Sequence, residues 1–254
     1  MLKHSKISVI KFVALFLSAV LTVFCLIASP RQAVDTFNGQ GRRLLPIYRV
    51  KRDDKLISIS FDCAWGVDYT DKILQALDDY GVKCTFFAVE FWAEKYPEYV
   101  KKIVERGHEI GTHSKTHPHM SKLDRAGVLE ELSSSVATIE ALTNQKVTLF
   151  RPPFGEYDNK LINCAKSLGL YTIQWDVDSL DWKNLSAAEI TSRVLKKVKS
   201  GSIILCHNNG LHTYEALPGI FATLIGQGYR FVPIGDLIYR DGYDIDTTGE
   251  QFIL

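Results

Sequence analysis

Short apolar runs alternate with amphipathic stretches along most of the chain, from about residue 53 onward. Seven of the apolar runs are rich in β-branched and aromatic residues and predict strands: LISISFD, CTFFAV, HEIGTH, VTLFRP, LYTIQWD, SIILCH and YRFVPI. Helical patterns fill the gaps, including a capping box formed by Ser186 and Glu189. This alternation predicts an α/β fold with a parallel sheet, and the chain length favours closure into a (β/α) barrel.

The first 52 residues follow a different pattern. Phe12 to Ala28 form a 17-residue run without charge, preceded by Lys3, Lys6 and Lys11. This predicts an export signal, either an uncleaved membrane anchor, which we favour, or a cleaved signal peptide. The basic flank places the following domain outside the membrane. We therefore predict a signal anchor or signal peptide (1–30), a linker without periodicity (31–52), a folded domain (53–242) and a C-terminal tail (243–254).

Composition narrows the classes of partner. Lysine and arginine number 30 against 29 acidic residues, so no basic surface for nucleic acid is indicated. The cysteines of the exported part show no disulfide framework, and Cys84 and Cys206 lie in apolar runs that favour burial. We expect a monomer with one large domain.

Polar residues collect where the predicted strands end. His113 and His117 are four residues apart, a spacing that puts both imidazoles on one face of a helix or a strand and is typical of a metal site. Asp62, Arg151 and His207 end or follow other strands. Because barrel enzymes carry their chemistry at the carboxyl ends of the strands, we expect these side chains to converge on one site.

Five ordered motifs carry a family resemblance: SFDCAWG (60–66), HSKTHP (113–118), RPPFG (151–155), DSLDW (178–182) and LCH (205–207). In this order they resemble the motifs of the NodB-type polysaccharide deacetylases, the carbohydrate esterase 4 family, across roughly residues 56–239. With the N-terminal segment, the chain resembles most closely the sporulation-associated members of Firmicutes. The resemblance implies a distorted barrel of about seven parallel strands, and a hydrolase acting on C–N bonds other than peptide bonds. Its substrate would be a GlcNAc or MurNAc polymer such as peptidoglycan, deacetylated at the cell membrane outside the cytoplasm.

The resemblance also implies roles for individual residues. Asp62 matches the general base, Arg151 the arginine that pairs with it, and His207 the general acid that protonates the departing amine. Asp178 matches the carboxylate that holds His207. The resemblance also implies that the backbone N–H of Phe154 stabilises the oxyanion and that Trp182 and Leu205 line the sugar pocket. Trp182 and Leu205 could equally be core residues.

One divalent metal would be held by His113, His117 and a third ligand. Most of the family has a second aspartate after the base, but this chain has Cys63 there. A thiolate ligand favours zinc, with cobalt or another metal as the alternative, and disfavours magnesium. Cys63 could instead pack in the core and leave only two histidine ligands.

Two other functions are compatible with the sequence. A homologue impaired by Cys63 could bind glycan or act as a scaffold without catalysis. A glycosidase could use the paired carboxylates Asp176 and Asp178, but the histidine pair would then have no role.

Overall fold

The computed structural model describes residues 43–254, which form one unit. The predicted signal segment and residues 31–42 of the predicted linker lie outside the described residues. Between residues 43 and 254, no helix has the length and apolar character needed to cross a bilayer.

Strands and helices alternate along most of the unit. The strands are β1 (Arg49–Val50), β2 (Leu56–Cys63), β3 (Thr85–Ala88), β4 (Glu109–Thr112), β5 (Leu149–Phe150), β6 (Tyr171–Thr172), β7 (Val177–Asp178), β8 (Ile203–His207), β9 (Arg230–Phe231), β10 (Tyr243–Ile245) and β11 (Glu250–Ile253). The helices are α1 (Thr70–Asp79), α2 (Glu90–Lys95), α3 (Pro97–Glu105), α4 (Arg125–Thr143), α5 (Asn159–Ser167), α6 (Ala187–Lys197), α7 (Thr213–Gly226) and α8 (Ile234–Leu237). The predicted capping box of Ser186 and Glu189 begins α6 and is confirmed.

The central sheet is parallel and has the order β6-β5-β4-β3-β2-β8-β7, with β9 pairing to the start of β2. The sheet curves into a half-barrel. It is open between β6 and β7, because these strands are its two edges. The predicted α/β fold with about seven parallel strands is confirmed. The apolar run at residues 170–176 does not form one strand, because the chain crosses the opening there: Gln174 N–H donates to Ile47, and Asp176 N–H donates to Ile203.

Strand β2 has two different faces because side chains alternate along a strand. Its odd-numbered residues Ile57, Ile59, Phe61 and Cys63 are fully buried in the larger apolar core, which also includes residues of the surrounding helices. Its even-numbered residues from Ser58 to Asp62 face the inside of the half-barrel, where Phe87 belongs to a second, smaller core. The inner face thus combines apolar packing with a polar row that leads to Asp62.

The predicted linker and C-terminal tail need correction where they are described. Ile47 and Val50 are buried in the inner core, and β1 pairs with β11, which in turn pairs with β10. Val50 N–H donates to the Gly201 carbonyl at 2.9 Å. These segments are too short to show periodicity, so the sequence pattern could not distinguish them from a tether.

Candidate active site

Asp62 and His207 are brought together by the register of two neighbouring strands. Strands β2 and β8 are parallel, and Asp62 is the direct partner of His207 across them. Partners in a sheet present their side chains on the same face, so both point to the inside of the half-barrel. The predicted convergence at the carboxyl ends of the strands is therefore present for this pair.

Arg151 holds Asp62 in its ionised form. Its Nη1 donates to Asp62 Oδ1 at 2.8 Å and to Ser60 Oγ at 2.8 Å, while Nη2 donates to the Gln174 carbonyl at 3.2 Å. Burial alone would raise the pKa of Asp62, but the charge of Arg151, supported by His113, lowers it below its ordinary value. Arg151 is itself fully buried, with its guanidinium 4.1 Å from the centre of the Phe87 ring. This arrangement gives Asp62 the charge that a general base needs near neutral pH.

The carboxylate that holds His207 is Asp181, and the prediction of Asp178 is corrected. Asp181 Oδ1 lies 2.7 Å from His207 Nδ1, and its Oδ2 accepts the His207 backbone N–H and the Thr213 hydroxyl, each at 2.7 Å. Burial lowers the pKa of His207, but the hydrogen bond and charge of Asp181 outweigh it, so that the pKa is raised above its ordinary value. The raised pKa favours the protonated imidazole that a general acid needs.

Asp178 instead stabilises its own turn. Its Oδ1 accepts the Leu180 N–H at 2.8 Å, and its carbonyl accepts Nε of Arg193. Leu180 then takes a left-handed conformation with φ of 55°, which turns the chain so that Asp181 faces His207. The motif DSLDW contains both aspartates, and its pattern alone does not separate their roles.

The two histidines lie beside Asp62. His113 Nδ1 donates to the Arg151 carbonyl at 2.7 Å, which leaves Nε2 facing Asp62 Oδ2 at 3.6 Å. The centres of the His113 and His117 rings are 4.9 Å apart. Burial lowers the pKa of His113 and brings that of His117 to about 4, so both imidazoles are neutral and available as donors to a metal.

Cys63 does not complete a metal site with them. It is the direct partner of Ala88, and both side chains are fully buried in the core outside the half-barrel, on the face opposite to Asp62. Burial raises the pKa of its thiol far above the ordinary value, so the thiol stays protonated. Within residues 43–254, no three His, Cys, Asp or Glu side chains are arranged so that they could hold a metal ion. The predicted set of His113, His117 and Cys63 therefore does not fit a metal ion.

Exposed aromatic rings surround the candidate site. Phe154 is 57% exposed and has a φ of 60°, and its ring lies 4.7 Å from that of His117. Trp182 is 55% exposed, as the expected sugar-stacking residue should be, whereas Leu205 is buried directly opposite Ser60. Their roles, and that of the Phe154 N–H at an oxyanion, stay predictions. Sequence reasoning missed Trp65, which is 58% exposed and packs against His117.

The carboxylates of the glycosidase hypothesis are engaged elsewhere. Asp176 accepts the Ser202 hydroxyl and the Ile203 N–H, each at 2.9 Å. Asp178 is bound within its turn. Neither contact favours a pair of carboxylates across a glycosidic bond.

Known proteins with similar sequences indicate the family. A model described as polysaccharide deacetylase matches residues 49–173. The chain is 33% identical over 193 residues to the uncharacterised protein YlxY of Bacillus subtilis, covering 76% of this chain but only 60% of YlxY. It is also 33% identical over 196 residues to a peptidoglycan-N-acetylglucosamine deacetylase of Bacillus cereus, covering 75% of this chain and 92% of that protein.

Solved structures indicate the same family, and they include a protein described as a pseudoenzyme. The wild-type BA3943 protein of Bacillus anthracis, described as a CE4 family pseudoenzyme, has a TM-score of 0.74 and 34% identity, covering 82% of this chain and 73% of its own. A mutant of that pseudoenzyme, described as having restored enzymatic activity, has a TM-score of 0.74 and 36% identity, covering 77% and 71%. The predicted resemblance and its enzyme class are confirmed. The chain belongs to the polysaccharide deacetylase family, a family of deacetylase hydrolases.

Proposed function

We propose that this protein removes N-acetyl groups from a GlcNAc-containing polymer of the cell wall, with peptidoglycan as the substrate class. The observation that carries the proposal is the pairing of a carboxylate with an imidazole: Asp62 held by Arg151, and His207 held by Asp181, on adjacent strands of one face. Deacetylase relatives whose names specify peptidoglycan-N-acetylglucosamine support the choice of substrate.

Each residue has a defined task in amide hydrolysis. Asp62 takes a proton from the attacking water, and Arg151 keeps its carboxylate oriented and charged. The protonated His207 gives its proton to the nitrogen of the departing amine, which could not leave as an anion. Asp181 stabilises the imidazolium before the proton transfer. Its oxygen accepts a hydrogen bond from Nδ1–H, which leaves Nε2 to face the substrate.

The test is acetate release by the full-length chain from chitooligosaccharides and from peptidoglycan fragments, with zinc or cobalt added. Asp62→Asn keeps the side-chain shape but cannot accept the proton, and it should abolish release. Asp176→Asn is the matched control, because Asp176 is bound to Ser202 away from the pair. No acetate from either substrate class, in the presence of metal, would refute the proposal.

A second candidate function is a catalytically impaired glycan-binding homologue, and the position of Cys63 favours it. The thiol occupies the place of the usual third ligand but lies in the core, and a similar structure is described as a pseudoenzyme. Metal analysis of the full-length chain and of Cys63→Ala and Cys63→Asp decides between the two. Zinc and acetate release that appear only in Cys63→Asp would support impairment. Stoichiometric zinc in the unmodified chain, lost in Cys63→Ala, would make Cys63 a ligand after all.

The location belongs to the same proposal. The uncharged run at residues 12–28, with lysines before it, supports a membrane-attached protein whose catalytic part lies outside the cytoplasm. Fractionation of cells that express the full-length chain, followed by protease treatment of intact protoplasts, tests this. Recovery of the protein in the cytosol would exclude it. A role in sporulation is supported only by the family resemblance, and spore-specific expression would test it.

A further inference from the structure

Trp65 places a large apolar side chain in water at the rim of the candidate site. It lies in the loop after β2, three residues beyond Asp62, and 58% of its surface is exposed. Its ring centre is 5.2 Å from that of His117, and the planes are inclined at 65°. His117 is therefore flanked by Trp65 and Phe154, and both of these aromatic side chains remain more than half exposed.

The loop that carries Trp65 is held in place by buried hydrogen bonds. The carbonyl of Gly66 accepts Nε1 of Trp92 at 2.8 Å and Nδ2 of Asn208 at 2.9 Å. Both donors are fully buried. Gly66 itself has a φ of 63°, a left-handed conformation that glycine adopts without strain. Hydrogen bonds that hold this backbone reduce the entropy lost when a ligand stacks on Trp65.

Asn208 connects this loop to the catalytic pair. It follows His207 directly, its N–H donates to the Asp62 carbonyl at 3.2 Å, and its Nδ2 also donates to the Thr70 hydroxyl at 3.1 Å. The base, the acid and the Trp65 loop are thus parts of one hydrogen-bonded unit. The backbone next to Trp65 is therefore bound to a residue that also contacts the backbone of Asp62 and directly follows His207.

The arrangement of the strands separates Trp65 from the expected sugar-stacking residue. Trp182 follows β7, whereas Trp65 follows β2 and its ring contacts that of His117, which follows β4. Asp62 and His207 end two adjacent strands between β4 and β7. A pyranose ring whose acetamido group lies at Asp62 therefore has Trp182 on its β7 side and Trp65 on its β4 side.

We propose that Trp65 stacks on a sugar residue adjacent to the one that is deacetylated, and so makes the protein select oligomeric over monomeric amino sugars. This rests on the proposed function for the identity of the sugar. Pyranose rings present apolar C–H faces that pack on an indole, and the polar groups at their edges remain hydrated. Trp65 is then a specificity-determining residue on the side of the site opposite to Trp182.

The test is calorimetric titration of the full-length chain with the GlcNAc tetramer and with GlcNAc monomer, without a metal requirement. Trp65→Ala should weaken tetramer binding about tenfold, the upper end of an aromatic contact, and leave monomer binding unchanged. Trp65→Phe should recover most of the loss. Leu168→Ala is the matched control, because Leu168 is also exposed but follows α5 at the opposite end of the strands.

Three results would overturn the inference: unchanged tetramer affinity in Trp65→Ala, an equal loss for monomer and tetramer, or no tetramer binding by the unmodified chain. Acetate release is measured separately on the same samples after zinc or cobalt is added. Binding that depends on Trp65 without acetate release would refute the deacetylase activity but leave the stacking role intact.

Discussion

The replacement Asp181→Asn tests the assignment of the His207 partner through the tautomer of an imidazole. Asp181 offers two acceptor oxygens to three donors: one to His207 Nδ1, the other to the His207 N–H and the Thr213 hydroxyl. An asparagine has one acceptor and one NH₂ group in the same space. If its oxygen faces the backbone N–H, its NH₂ group faces Nδ1, which must then be an acceptor on a neutral ring. If its oxygen faces Nδ1, the buried backbone N–H loses its acceptor.

Either orientation has a calculable cost. A buried donor left without an acceptor costs about 1–3 kcal/mol, and a hydrogen bond to a charged group contributes about 1.5–3 kcal/mol. The ratio of protonated to neutral His207 should therefore fall by about tenfold to a hundredfold at a fixed pH. Burial, which lowers the pKa of His207, is then opposed only by the charges of Asp62 and Asp178, which raise it. Asp181→Asn should thus shift His207 toward its neutral form and reduce acetate release accordingly.

The pH dependence of stability has a definite sign. Because the pKa of His207 is raised in the folded chain, its contribution to the free energy of unfolding is complete below its ordinary value of 6.5. That contribution is lost as the pH rises through the raised value. The pKa of Asp181 is lowered: burial opposes this, and the bond and charge of His207 prevail. Its contribution is therefore lost only in acid, as the pH falls through the lowered value. Asp181→Asn should remove the loss of stability above pH 6.5.

Imidazole nitrogen shifts measured by NMR report the charge and tautomer of His207 without requiring activity, and urea unfolding at several pH values reports stability. Asp178→Asn is the matched control, since it makes the same chemical change three residues away in a turn bound to Leu180. An unchanged His207 signal in Asp181→Asn would refute the assignment, as would an equal change in Asp178→Asn.

Two further predictions concern stability. Arg151→Met should lower the free energy of unfolding by about 3–5 kcal/mol at pH 7, because it leaves the Asp62 carboxylate buried without its cation. The loss should be smaller in acid, where Asp62 is protonated. An equal loss at both pH values, measured by urea unfolding, would contradict this. Gly201→Ala should cost about 2 kcal/mol more than Gly169→Ala, because both glycines have positive φ but only at Gly201 would a Cβ collide with the Val50 carbonyl; equal melting temperatures of the two variants would contradict this.

The fold was largely predictable because its strands bury both faces. Each of the seven apolar runs contains a strand of the structure, since a parallel sheet covered by helices requires near-continuous apolar sequence. The strands that were not predicted are short. Strand β7 has two residues and forms the edge of the central sheet opposite to β6, and β1, β10 and β11 form a small separate sheet. Their stability depends on partners that are distant in sequence, so local pattern could not reveal them.

The site residues that lie at strand ends could be predicted from the sequence. Asp62 and His207 could be found because each ends an apolar run, and Arg151 directly follows another. Asp181 could not be distinguished from Asp178 by pattern, because the choice depends on the left-handed turn at Leu180. Trp65 was missed because exposure is a property of the loop conformation, and an isolated tryptophan after a strand equally suits a core.

Whether residue 63 can bind a metal depends on the backbone of β2 as well as on the side chain. Adjacent residues of a strand point to opposite faces, and β2 remains paired with β3 through Cys63. A carboxylate at position 63 would therefore enter the apolar core, at a cost of several kcal/mol, unless the end of β2 turns it toward His113. We accordingly expect Cys63→Asp to be markedly less stable than the unmodified chain in metal-free buffer and to regain stability with zinc, by urea unfolding. A destabilised variant that zinc does not rescue would mean that the strand holds residue 63 in the core, so that restoring the usual ligand requires a change of backbone as well as of side chain.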